Sequence, residues 1–133
     1  MGQRIALLIG VSEYAAGLNP LPAAVRDVAA VQKVLGRSDL GNFQVEVLAN
    51  PGLLEMRQRI AWLFRDRAPD DLLVLYFSGH GKVDERGQFY FTNCETDCEQ
   101  GLNKATALEA SFIHDSMESC DSERQVLILD CCQ

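Results

Sequence analysis

Apolar residues fall into short runs and helical stripes that alternate along the chain. Arg4–Ile9 is an apolar run ended by Gly10 and predicts a first strand. Val11–Leu21 contains Gly17 and Asn19-Pro20 and exits at Pro22, all turn formers. From Ala23 to Leu35, Ala24, Val25, Val28, Val31, Val34 and Leu35 recur at helical spacing, with Gly36 as a stop. Gly36–Asn42 reads as a loop. Gln44–Ala49 alternates, with Val45, Val47 and Ala49 on one side, and predicts a second strand. Asn50-Pro51 is a cap followed by a first-turn proline, so a helix is expected from there to about Arg67, its stripe being Leu54, Ile60, Ala61, Leu63 and Phe64. Leu72–Phe77 has no polar member, which suits a strand buried on both faces before the chain breaks at Ser78-Gly79-His80-Gly81. Gln88–Phe91 predicts a short strand after a turn. Thr92–Thr106 lacks periodicity and reads as a long surface loop. A helical pattern returns over Leu108–Ser119 through Phe112, Ile113 and Met117, and Gln125–Leu129 predicts a further strand running into Asp130-Cys131-Cys132.

Strands alternating with helices predict an α/β domain, a mostly parallel sheet with helices on both faces. In such sheets chemistry collects at the carboxyl ends of the strands, where His80 and the two cysteines fall. At 133 residues the chain is expected to be one domain. It stops at Gln133, directly after a strand, which reads as a fragment or a processed subunit.

Charge and cysteine usage narrow the function classes. A net charge of −7 argues against nucleic acid as the main partner. No apolar run reaches the roughly 18–20 residues of a membrane span, and the N-terminus carries neither a cleavable signal pattern nor a complete myristoylation motif. A cytoplasmic protein without a membrane partner is expected. The five cysteines, Cys94, Cys98, Cys120, Cys131 and Cys132, are an odd number without the spacing of a disulfide framework, and are expected as reduced thiols. Cys94 and Cys98 resemble half a metal site, but no second pair follows at zinc spacing, so no metal is expected.

Cys132 follows His80 by 52 residues, so the two can meet only through the fold. Side chains two apart on a strand share a side. If the two strand ends are neighbours, one cleft receives Ser78, His80, Asp130 and Cys132, while Cys131 faces the packing beneath; parity alone does not choose between the two cysteines, because the buried strands are apolar on both sides. A thiol beside an imidazole is an activated nucleophile, because proton transfer produces the thiolate that attacks a carbonyl. Backbone N–H groups near a glycine such as Gly81 can hold the developing oxyanion, the glycine allowing close approach to substrate. A buried histidine and two inert core cysteines would leave the same pattern.

Tyr76-Phe77-Ser78-Gly79-His80-Gly81, followed by Leu127-Ile128-Leu129-Asp130-Cys131-Cys132, resembles the caspase-like cysteine peptidases, closest to the metacaspase and orthocaspase branch with its Y/F-x-S-G-H-G and D-x-C-x-S-G motifs. The spacing fits the family, whose histidine precedes the cysteine by about 50 residues. The resemblance implies a caspase-like three-layer sandwich over residues 1–133, forming the large-subunit part of the catalytic domain. It makes His80 the general base and Cys132 the nucleophile, with the N–H groups of Gly81 and Cys132 as the oxyanion hole. The Ser-Gly of the second motif would fall beyond Gln133, and the small-subunit region is absent from this sequence, so that missing region is itself an expected partner.

Metacaspase-like enzymes cut after arginine or lysine and line the pocket with acids. The resemblance assigns that role to Asp130 and Asp27, with Ser78 on the pocket wall, and implies a peptide or protein substrate with a basic residue before the scissile bond. Arg26, beside Asp27, is the feature against it, since a salt-bridged surface aspartate would look the same. Calcium activation in metacaspases relies on acids after the histidine strand. Asp97 matches one, but Ala110-Ser111 stands where an Asp-Asp pair is expected, which speaks against calcium dependence and leaves no cofactor expected. His114 and Asp115 read as surface residues. Two other classes compete: a non-catalytic caspase-like module acting through protein–protein interaction, and a nucleotide binder. Gly10-Val11-Ser12 makes no phosphate loop, which leaves the latter without support.

Overall fold

The computed structural model describes residues 2–15 and 17–132, with Cys132 described by its backbone alone. The elements run β1 (Arg4–Gly10), α1 (Pro22–Leu35), β2 (Gln44–Ala49), α2 (Leu53–Phe64), β3 (Leu72–Val83), β4 (Phe89–Phe91), a single 3-10 turn (Lys104–Thr106), β5 (Leu108–Glu109), α3 (Ala110–Glu118) and β6 (Arg124–Cys132). β2, β1, β3 and β6 pair in parallel, in that spatial order. Beyond them β3, β4 and β5 pair antiparallel. The sheet is therefore mixed, and the expected parallel sheet is one part of it.

The buried strands divide their side chains by parity between two cores. Ala6, Leu8, Val74 and Tyr76 pack with Val28 of α1. Ile5, Leu7, Ile9, Leu73, Leu75 and Phe77 pack with Met56, Ile60 and Leu63 of α2 and Ile113 of α3. Helices thus cover both faces, because β1 and β3 are apolar on both sides. Truncating a fully buried member such as Ile60 to alanine would cost ~2–5 kcal/mol.

Four expectations need correction. β3 does not stop at Phe77 but continues through Ser78-Gly79-His80-Gly81 to Val83. Partners on either side carry it: β6 pairs as far as His80, and β4 pairs Gly81–Val83. α2 begins at Leu53, because Asn50 takes a left-handed φ of 54° and turns its side chain back to the loop after β1. It ends at Phe64, where Arg67 folds back to donate to the carbonyls of Leu63 and Trp62 (2.8 and 3.2 Å). Leu108–Glu109 is strand, so α3 starts two residues later than expected. The segment from Thr92 to Thr106 lacks periodicity yet is no simple surface loop. Thr92, Asn93 and Thr96 are fully buried, and Asn93 and Thr96 both donate to the carbonyl of Thr106 (2.8 and 2.9 Å). Short-range polar bonds, invisible to a hydrophobic pattern, hold it.

At the amino ends of the strands, the buried Asp71 carboxylate accepts the N–H groups of Gln3 and Ala68, both at 2.8 Å. Ser122 donates to the Asp71 carbonyl and so ties β6 to the same point.

Candidate active site

The carboxyl ends of β3 and β6 lie side by side. In their parallel register Ser78 is opposite Asp130, Gly79 opposite Cys131, and His80 opposite Cys132. Paired strands run ~4.8 Å apart, and register partners share a face. Positions 78, 80, 130 and 132 therefore lie on one face and Cys131 on the other, where it packs against the core beneath α2. The Cys132 side chain itself lies outside the described residues.

The shared face is the one covered by α1. Leu8 and Gly10 are register partners of Tyr76 and Ser78. A Cβ on Gly10 would stand 2.8 Å from Val28 Cγ2 and 3.1 Å from the Ala24 carbonyl oxygen, so glycine lets α1 settle close over this end of the sheet. Asp27, half-buried, precedes Val28 on that helix. The Tyr76 phenol lies on the same face. Burial, then the charges of Asp130 and Asp27, push its pKa up. Ser78 and Asp130 are register partners on this face, and the charges of Asp130 and Asp27 both reach the Tyr76 phenol. Among the described residues, exposed Arg26 forms no ion pair with Asp27.

His80 is partly buried and held at two levels. Its Nε2 lies 2.8 Å from the Asn19 carbonyl oxygen. A carbonyl only accepts, so Nε2 carries the proton and the neutral ring keeps its lone pair on Nδ1. Its backbone N–H donates to the Tyr14 hydroxyl at 2.8 Å, and the Tyr14 ring sits 4.8 Å from the imidazole at 56°.

Gly81 has its own geometry. The carbonyl of Ser78 accepts from Val11 N–H next to β1, and that of His80 accepts from Thr92 N–H at the start of the β4 side. Alternation along the strand turns the Gly81 N–H the other way, toward β6. The glycine itself is required by Phe89, whose Cζ would stand 2.3 Å from a Cβ at position 81.

A caspase-domain family model matches residues 3–133. The chain belongs to the caspase-domain family. It is 36% identical over 89 residues to metacaspase-1B of Aspergillus terreus, covering 60% of this chain and 23% of that protein. The corresponding protein of Aspergillus niger is 33% identical over 89 residues, covering 60% of this chain and 20% of the relative. This caspase domain therefore spans between a fifth and a quarter of the length of these relatives.

Three residues of the site had no assigned role from the sequence. Asn19 acts through its carbonyl, which every residue type shares, so no signal could have marked it. Tyr14 was visible only as an aromatic in a turn-rich segment, and Thr92 as the start of an unpatterned one. Among the described residues of the caspase domain, no group of three or more His, Cys, Asp or Glu could hold a metal ion. Burial foremost pushes the thiols of Cys94 and Cys98 up. His114 and Asp115 are exposed on α3. Among the described residues no helix is long and apolar enough to cross a membrane.

Proposed function

We propose that this caspase domain is the nucleophile-bearing part of a cysteine endopeptidase that cleaves after arginine or lysine. The observation that carries the reading is the register of β3 and β6, which sets His80 opposite Cys132 while Asn19 occupies Nε2. His80 Nδ1 takes the thiol proton of Cys132, and the thiolate sulfur bonds to the scissile carbonyl carbon. The oxyanion that forms is met by the N–H groups of Gly81 and Cys132. Collapse breaks the C–N bond, the leaving amine takes the proton from the imidazolium, and an acyl-enzyme remains. Water, deprotonated by His80, then releases the acid and restores the thiol.

Asp130 and Asp27 supply the negative charge for a substrate guanidinium or ammonium, with Ser78 as a neutral hydrogen-bonding wall. The small-subunit region of the full-length protein completes the groove and a three-layer sandwich. The reaction needs no cofactor, and the cytoplasm, where thiols stay reduced, suits it.

The test is cleavage by the full-length protein of reporter peptides ending in arginine, lysine or aspartate. Basic reporters are expected to be cut, with loss on Cys132→Ala and selective labelling of Cys132 by a thiol alkylator. Turnover confined to aspartate reporters overturns the specificity. Undiminished turnover by Cys132→Ala overturns the mechanism, and an unlabelled, inactive wild type supports a binding module instead.

A further inference from the structure

His80 is gripped through its backbone as well as its ring, and the grip closes on itself. Its N–H donates to Tyr14 Oη at 2.8 Å. Tyr14 Oη and Thr92 Oγ1 are 2.9 Å apart, and Thr92 Oγ1 is 2.8 Å from the His80 carbonyl oxygen. Thr92 has one hydroxyl proton, and the carbonyl can only accept, so Thr92 donates to His80. Tyr14 then donates to Thr92 while accepting from His80. Every hydroxyl proton and both backbone groups of His80 are used in one three-membered circuit. Thr92 is fully buried, and burial foremost pushes the Tyr14 phenol up, so Tyr14 keeps the proton that the circuit requires.

Two further features are fitted to this arrangement. A Cβ on Gly79 would stand 2.8 Å from Tyr14 Oη, so the first glycine of Gly79-His80-Gly81 makes room for the phenol. The loop that carries Tyr14 also carries Asn19, whose carbonyl holds the other end of the same histidine. Asn50 Oδ1 anchors that loop by accepting the N–H groups of Ser12 and Glu13 (2.8 and 3.0 Å), and Leu21 N–H closes it on the Ser12 carbonyl at 2.9 Å.

We propose that Tyr14, acting with Thr92, is a positioning residue for His80, holding its backbone so that Nε2 meets Asn19 and Nδ1 stays free for the thiol. The proposal rests on the peptidase reading for its catalytic consequence, although the hold on the imidazole can be read independently. Tyr14→Phe keeps the ring and deletes the hydroxyl. In the full-length protein it is expected to lower kcat for an arginine reporter about tenfold with KM within about twofold, since the loss is one of alignment rather than substrate binding. Thr92→Val is expected to do the same, Thr92→Ser to recover most of the activity, and the double variant to fall no further than the weaker single, because both open one circuit.

Nitrogen-15 NMR of the His80 ring, assigned by its loss in His80→Gln, is expected to read the Nε2–H tautomer in wild type and a mixture in Tyr14→Phe. Tyr14 and Thr92 variants that lower the melting temperature but keep wild-type kcat and tautomer would overturn the proposal, leaving Tyr14 as packing alone. A wild type that cleaves nothing defeats the peptidase reading, and the ring spectrum still decides whether Tyr14 sets the imidazole.

Discussion

The Nε2 of His80 lies 2.8 Å from the carbonyl oxygen of Asn19, 61 residues earlier in the chain. That bond commits one ring nitrogen and frees the other. It also strengthens when the ring becomes cationic, because a charged donor to a carbonyl is the stronger form of the same contact. An imidazole held this way needs no carboxylate partner to fix its tautomer.

The two adjacent cysteines should behave differently because alternation puts their positions on opposite faces of β6. Cys132→Ala is expected to lower turnover of a basic reporter by about 10⁴-fold or more, as for loss of a nucleophile. Cys131→Ser instead sets a hydroxyl against the core beneath α2, at about 1–3 kcal/mol of stability, with kcat within about threefold of wild type. Parallel denaturation and reporter assays on the two variants check this, and the reverse pattern would exchange their roles.

Asp27 and Asp130 come from elements far apart in sequence, and the charges of both act on the Tyr76 phenol. Each should contribute a charge-assisted contact worth ~1.5–3 kcal/mol to a bound basic side chain, or about 10–100-fold in kcat/KM. Asp27→Asn and Asp130→Asn are therefore expected to weaken arginine reporters by that range while leaving the alkylation rate of Cys132 nearly unchanged. Equal kcat/KM in wild type and both variants would remove the acids from the specificity pocket.

Gly81 separates a packing requirement from a catalytic one. Gly81→Ala places a Cβ 2.3 Å from Phe89 Cζ, so it should lower the melting temperature. Adding Phe89→Ala removes the ring and should restore part of that loss relative to Phe89→Ala alone. Because the Gly81 N–H is kept, activity is expected to return with the fold. A refolded double variant that stays inactive would mean that substrate itself excludes a side chain at position 81.

Asp71 makes the fold sensitive to acid at the opposite end of the sheet. Hydrogen bonds from Ala68 N–H and then Gln3 N–H hold its carboxyl below the usual aspartate range. A folded-state pKa below the unfolded value near 3.9 stabilises fully above that value and is lost as pH falls through the folded pKa. Asp71→Ala should melt below wild type at pH 7, and the gap should narrow as the pH is taken below about 4. Melting curves between pH 7 and pH 2 test this, and a gap that widens in acid contradicts it.

Element order was legible because periodicity is local. The stripe of α1 and the apolar runs of β1 and β3 were all visible from residues within one element. Ends were less so: Asn50 looked like a helix cap but spends its side chain on Ser12 and Glu13, thirty-odd residues earlier. The glycines of Ser78-Gly79-His80-Gly81 look like breaks, yet Gly79 and Gly81 sit inside a paired strand, with Tyr14 and Phe89 occupying the space where side chains would be. Such substitutions of space depend on partners that no local window contains.

The sequence by itself determined the order of strands and helices apart from the two-residue β5, and the parity that groups Ser78 with His80 and Asp130 with Cys132. Both follow from the fixed period of a strand or helix, which any few consecutive residues reveal. Only the tertiary structure decided that β3 and β6 are neighbours with His80 opposite Cys132, that the sheet turns antiparallel beyond His80, and that Tyr14 and Thr92 bond the His80 backbone while the Asn19 carbonyl holds its ring. Strand pairing is chosen by contacts between distant segments, and a backbone carbonyl is the same atom in every residue, so neither leaves a mark in the identity of the amino acid that supplies it.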